Sequence, residues 1–220
     1  MKRKKIVRIL IVLGVLFFPS LFWLLLTRRT NQFKHLPVIG PFDITAKGDT
    51  VYHTIPSFSF INQENKIITS KDLEDKIYVA SFFFVRCPKI CPKMNDELER
   101  VQAAFKNEPD FKLLSHTVNP ENDSVSVLYE YAQKHHADYN QWWFLTGNKD
   151  SIYNIARDGY LVLAAKGKTA NDFFHSQDLI LVDKDKHIRG IYDGMEHAEV
   201  DTLIDEIKVL MYEYKQKKKS

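Results

Sequence analysis

The run IYVASFFFV, residues 77–85, constrains this chain more than any other stretch. It is almost continuously apolar and rich in β-forming residues, with none of the polar alternation of a strand that has one wet face. Such a run needs cover on both sides, as a central strand of an α/β sheet has. Its surroundings agree. FKLLSHTV (111–118) reads as a second buried strand, QWWFLT (141–146) as a third, YLVLAA (160–165) as one more, and DLILVDKDKHIRGIYD (178–193) as a hairpin. SFSFINQENKIIT (57–69) predicts another hairpin, turning around Gln63–Asn65. Between the strands, Met94, Leu98, Val101 and Phe105 recur at helical spacing. DSVSVLYEYAQKHH (123–136) reads as a helix with Asp123 or Ser124 as its N-cap, NKDSIYNIAR (148–157) as a further capped helix, and EHAEVDTLIDEIKVLMYEY (196–214) as a final amphipathic one. Strands alternating with helices predict an α/β fold: a mixed sheet with helices on both faces.

The charge pattern bears on the partner class. Lys and Arg total 31 against 28 Asp and Glu, which taken alone suits an anionic partner. Seven of the basic residues, however, lie in residues 1–29 and four in residues 214–220, where there is no acid at all. The stretch between is therefore acidic, which argues against a nucleic-acid binder. In MKRKKIVRILIVLGVLFFPSLFWLLLTRR, Ile9 to Leu26 is an uncharged run of 18 residues, at the short end of what spans a bilayer. Five basic residues precede it, Arg28 and Arg29 follow it, and no small-residue cleavage pattern is present. The expectation is an uncleaved single transmembrane helix with a cytoplasmic N-terminus and everything after it across the bacterial cytoplasmic membrane, facing the periplasm or cell exterior. The predicted organisation is a basic N-terminus and anchor (1–29), a stalk (30–52), a folded domain (53–214) and a basic tail (215–220).

Only two cysteines occur, in RCPKICPKM. A residue before proline is pushed away from helical angles, so Cys87 and Cys91 are both expected outside the helix, with Cys91 as the N-cap of a helix beginning at Pro92. That places the pair on the loop at the carboxyl end of a buried strand, where ligands bind in open α/β sheets and where free N–H groups favour a thiolate. Thiolates select soft ions, and two cysteines are too few for a tetrahedral zinc site, whereas Cu(I) accepts two or three ligands. A third ligand has to come from histidine or methionine. Of the eight histidines, His135 and His136 end a polar helix and are expected in solvent or complementing its C-terminal dipole. His116 lies within a strand pattern and reads as structural. His35, His53, His187 and His197 lie in stalk, turn or surface contexts, and His175 immediately precedes an apolar strand. Spacing alone selects none of them.

FFFVRCPKICPKMNDEL, followed about 85 residues later by HSQDLILVDKDKHIRGIYDG, resembles the Sco/SenC family of membrane-anchored copper carriers for cytochrome c oxidase. The resemblance spans roughly residues 53–212 and implies a thioredoxin-like fold. It implies Cys87, Cys91 and His175 as the ligands of one copper ion, Cu(I) or Cu(II), and the copper A centre of oxidase subunit II as acceptor; an upstream copper donor or a thiol reductant is expected as a further partner. No small-substrate turnover is implied. Three departures stand out: VNPENDSV where VDPxRDTP is common, Phe174 where an Asp often precedes the histidine, and DKDK in place of DPDG. They bear on affinity and partner choice and leave the three ligands in place. The alternative is a thioredoxin-like thiol–disulfide oxidoreductase keeping the oxidase cysteines reduced, with Cys87 and Cys91 as a redox-active disulfide. The CxxxC spacing and the absence of any proline after Pro120 count against it. A peroxidase of the same broad fold lacks a recognisable peroxide-positioning set, and a structural disulfide closing so small a ring would stabilise little.

Overall fold

The computed structural model describes residues 17–18, 35–162 and 176–217. The chain divides into two compact units, Met1–Lys34 and His35–Ser220. Of the first, only the helical Phe17 and Phe18 are described, so the expected membrane span lies otherwise outside the described residues. Among the described residues no helix is long and apolar enough to cross a membrane.

The second unit is built on seven strands in the order β4-β3-β7-β6-β5-β8-β9. These are β3 (Ser59–Asn62), β4 (Ile67–Thr69), β5 (Ile77–Phe83), β6 (Phe111–Thr117), β7 (Trp142–Thr146), β8 (Asp178–Val182) and β9 (Ile188–Asp193). Strands β5, β6 and β7 run parallel, while the β3–β4 and β8–β9 hairpins add antiparallel strands at either side. The sheet is mixed, as expected. Every residue of β5 is buried, which is the both-faces cover that its composition demands. Among the described residues four α-helices flank the sheet: α1 (Ile90–Ala104), α2 (Val125–Lys134), α3 (Lys149–Asn154), which continues as one π turn over Ile155–Gly159, and α4 (His197–Lys217). The apolar line of Met94, Leu98 and Val101 on α1 is wholly buried, and Phe105 just beyond it nearly so.

Three expectations need correction. The helix after the cysteines begins at Ile90 with Lys89 as its N-cap, so Cys91 lies within the first turn. The N–H groups of a first turn have no intrahelical acceptor, so Pro92 costs no hydrogen bond there and the helix starts before it. His135 is not in solvent: it is 4% exposed, and its Nδ1 lies 3.0 Å from Glu99 Oε1 on α1. Tyr160 to Val162, the start of the YLVLAA run, forms no strand, because Leu161 has a left-handed φ of 56° that breaks extended geometry. The rest of that run lies outside the described residues. The stretch read as a stalk carries a two-stranded hairpin, β1 (Phe42–Ile44) with β2 (Thr50–Tyr52). Before it, Leu36 is buried against the unit's core.

Candidate metal centre

The two cysteines sit where β5 gives way to α1. Strand β5 stops at Phe83, whose carbonyl accepts the Val118 N–H at 2.8 Å, and the chain then turns so that Cys87 N–H donates to the Phe84 carbonyl at 3.2 Å. Lys89, the N-cap of α1, has φ −139° and ψ −53° and makes no side-chain cap bond. The Cys87 sulfur supplies the missing acceptor, because Cys91 N–H donates to Cys87 Sγ at 3.3 Å. Cys87 therefore stands where a capping oxygen usually stands, at the positive end of α1.

The two thiols differ electrostatically. Burial alone would raise the Cys87 pKa. The Cys91 S–H and the N–H groups of Cys91, Lys89 and Ile90 outweigh it and bring Cys87 below the ordinary thiol value. Cys91 is pushed up to about 12, first by burial and then by donating its proton to Cys87. The two sulfurs thus differ, Cys87 ionising more readily than an ordinary thiol and Cys91 less. Neither cysteine is in a disulfide, and both are almost fully buried.

Beneath the pair, Tyr131 of α2 stacks on Phe83 with centroids 5.3 Å apart, and its hydroxyl accepts from Asn95 Nδ2 at 2.7 Å. Met94, in the turn after Cys91, packs against the end of the β8–β9 hairpin. A Cβ on Gly194 would lie 2.8 Å from Met94 Cγ and 3.0 Å from the Gln177 carbonyl oxygen. The described chain therefore resumes, at Ser176 and Gln177, close to the first turns of α1. His175, the residue immediately before Ser176, lies outside the described residues.

His116 is not drawn to the thiols. It is buried on β6 among Phe58, Phe60, Phe82 and Tyr160. Two further groups of possible metal donors occur among the described residues, Asp96 with Glu99 and His135, and Asp183 with Asp185 and His187. Neither contains sulfur. Glu99 bonds His135, and Asp183 carries an ion pair with Arg189 at 2.8 Å, so both groups have internal partners. Asp123 was legible only as a helix cap, yet its carboxylate belongs to the cysteine loop: Oδ2 accepts the Val85 N–H at 3.1 Å and the Thr117 hydroxyl.

A CPxxCP turn joining a buried central strand to a helix, in this sheet order, invites comparison with known proteins. The SCO1/SenC family model matches residues 46–212. The chain belongs to the SCO1/SenC family. Its fold is the thioredoxin-like fold of that family. It is similar to a SCO1/SenC family lipoprotein from Bacillus anthracis, with a TM-score of 0.66 and 28% identity over 72% of this chain and 95% of that one. BsSco, described as having a disulfide switch and as a member of the Sco family of cytochrome c oxidase assembly proteins, superposes with a TM-score of 0.63 at 28% identity, covering 72% and 93%. Arabidopsis thaliana ScoI with copper bound gives 0.59 at 26% identity, covering 72% and 98%. The SCO1/SenC match takes in both cysteines, His175 and the β8–β9 hairpin, and extends upstream into the β1–β2 hairpin.

Proposed function

We propose that this chain is a membrane-anchored copper chaperone that binds one copper ion through Cys87, Cys91 and His175 and delivers it to the copper A centre of cytochrome c oxidase subunit II. The observation that carries the reading is the thiol pair at the N-terminus of α1: two soft donors held by backbone at a helix end, Cys87 the more readily ionised. That donor set fits copper. Two thiolates and an imidazole satisfy Cu(I) without completing a closed four-ligand site, so the ion can leave by exchange of one ligand at a time. Copper is cargo here, and no small substrate is turned over. Two things support His175 as the third ligand: the family resemblance, and the return of the described chain beside Met94 directly after it. The apolar run from Ile9 to Leu26 supports a single-pass anchor, with the domain facing the periplasm or cell exterior. An anchor would confine the domain to the membrane surface and raise its effective concentration near a membrane-bound acceptor.

The test is metal content of the reduced full-length chain in detergent. The wild type is expected to bind copper at about one equivalent. Cys87→Ala and Cys91→Ala should abolish this, and His175→Ala should weaken binding and alter the Cu(II)–thiolate absorption. Failure of the wild type to take up copper overturns the reading; an unchanged His175→Ala spectrum removes that ligand alone. A second reading, a thiol–disulfide reductase serving the oxidase cysteines, is favoured by the asymmetry of the two thiols, since a nucleophile and a proton-holding partner are what dithiol exchange uses. Strong insulin reduction by the metal-free protein, combined with poor copper uptake, would select it.

A further inference from the structure

The N-cap of α2 goes without a side-chain cap bond, and the residue before it is a buried carboxylate. Ser124 is the N-cap of α2 and makes no side-chain cap bond, while Asp123 beside it turns its carboxylate inward and is 1% exposed. A side-chain cap is worth about 1 kcal/mol, and burying a carboxylate is costly even with the charge of Arg86 acting on it. The cap bond is forgone and a carboxylate buried at one place, next to the cysteine loop. What the carboxylate gains instead is a junction. Asp123 Oδ2 accepts the Thr117 hydroxyl from the end of β6 and the Val85 N–H, 3.1 Å away, from the start of the loop. The carboxylate is itself held. Thr117 Oγ1 accepts Asn119 N–H at 3.0 Å, and the Asn119 carbonyl accepts the N–H groups of Asn122 and Asp123 at 3.0 and 2.9 Å. Val85 is two residues before Cys87, and only the turn closed by Cys87 N–H on the Phe84 carbonyl lies between.

We propose that Asp123 is a positioning residue for the thiol pair: its buried carboxylate pins Val85 to the end of β6 and so holds Cys87 where it caps α1. The inference rests on the copper-binding reading for one of its two readouts and not for the other. By pinning Val85 the latch holds the turn in which Cys87 Sγ accepts from Cys91 N–H, an arrangement that closing an S–S bond would disturb. Loss of the latch should weaken metal binding and ease oxidation together. Outer partners of metal ligands are worth about 10–100-fold in affinity when removed.

The experiment uses the full chain in detergent with Asp123→Ala, Asp123→Asn, Thr117→Val and, as a destabilised control that touches no residue of the loop, Arg189→Ala. Copper affinity is read by competition with a chelator, and the dithiol–disulfide equilibrium by titration with reduced and oxidised glutathione. Asp123→Ala should lose about tenfold or more in copper affinity. Its glutathione equilibrium should move toward the disulfide by a similar factor. Asp123→Asn keeps an acceptor oxygen and should stay within about threefold of wild type, and Thr117→Val should shift both readouts in the same direction by a smaller factor. The proposal fails if Asp123→Ala matches Arg189→Ala in both readouts. Should Asp123→Ala not fold, an unshifted Thr117→Val overturns it. If the wild type takes up no copper, the functional reading falls and the glutathione equilibrium alone decides on Asp123.

Discussion

At the scale of single residues, His116 shows how strongly burial sets chemistry in this core. Its ring lies 5.2 Å from Phe82, 5.4 Å from Phe60 and 5.5 Å from Tyr160, and neither ring nitrogen has a hydrogen-bond partner. Burial lowers its pKa from 6.5 to about 3, so it is neutral in the folded protein at neutral pH. The unfolded chain takes up this proton near pH 6.5 and the folded chain only near 3. Stability from this group is therefore complete above about pH 6.5 and falls as pH drops below it, by at most about 1.4 kcal/mol per pH unit. His116→Phe should remove that dependence and leave stability at pH 7 unchanged or raised by about 1–3 kcal/mol, because an unpaired buried polar group is replaced by a ring like its neighbours. Urea unfolding at pH 7 and pH 5 measures both effects. A variant that keeps the wild-type slope between those values would show that another group carries it. The strand pattern made His116 legible as structural. Nothing in the sequence revealed that both its nitrogens go unpaired, because that depends on four aromatic residues from other elements.

At the scale of elements, helices α1 and α2 are joined by polar rungs as well as by apolar packing. Asn95 donates to Tyr131 one turn beyond Cys91, and Glu99 meets His135 one turn further on. Tyr131→Phe removes the acceptor of a fully buried Asn95 amide whose Oδ1 is already unpaired. That should cost about 1–3 kcal/mol in denaturant unfolding. Asn95→Leu added to Tyr131→Phe should recover part of the loss. A single variant as stable as wild type would mean that the amide finds another acceptor. The same pair of helices shows why boundaries were harder to read than elements. The apolar spacing of Met94, Leu98 and Val101 identified α1. Its start was misplaced by two residues because proline rules describe chain preferences and do not see a sulfur that can serve as the cap. His135 was misread for a related reason: a helix end is polar by sequence, but Glu99 on the neighbouring helix makes burial affordable there.

At the scale of the whole domain, Arg189 ties together its N-terminal segment, the β8–β9 hairpin and α4. It is 7% exposed, donates to Asp183 Oδ2 at 2.8 Å, to Glu213 Oε2 at 3.3 Å and to the Pro37 carbonyl at 3.0 Å, and also bonds the Leu36 carbonyl. Glu213 in turn accepts Leu36 N–H at 3.2 Å. Arg189→Ala leaves two buried carboxylates without their cation and should destabilise by about 3–5 kcal/mol. It should also release the segment around Leu36 to limited proteolysis before the rest of the domain unfolds, and simultaneous cleavage throughout would show that the clasp has no local role. By itself the sequence determined the α/β class, the central strand and helical faces, and the placement of two soft thiols at a strand–helix junction. Hydrophobic period and proline position are local properties, and they survive in one dimension. Tertiary structure decided which sulfur ionises more readily, that Cys87 caps α1, and that Asp123 faces the loop and not its own helix. The first two rest on donors within four residues of Cys87, held in a turn whose burial no local pattern reveals, and the third on a carboxylate brought back 38 residues to Val85.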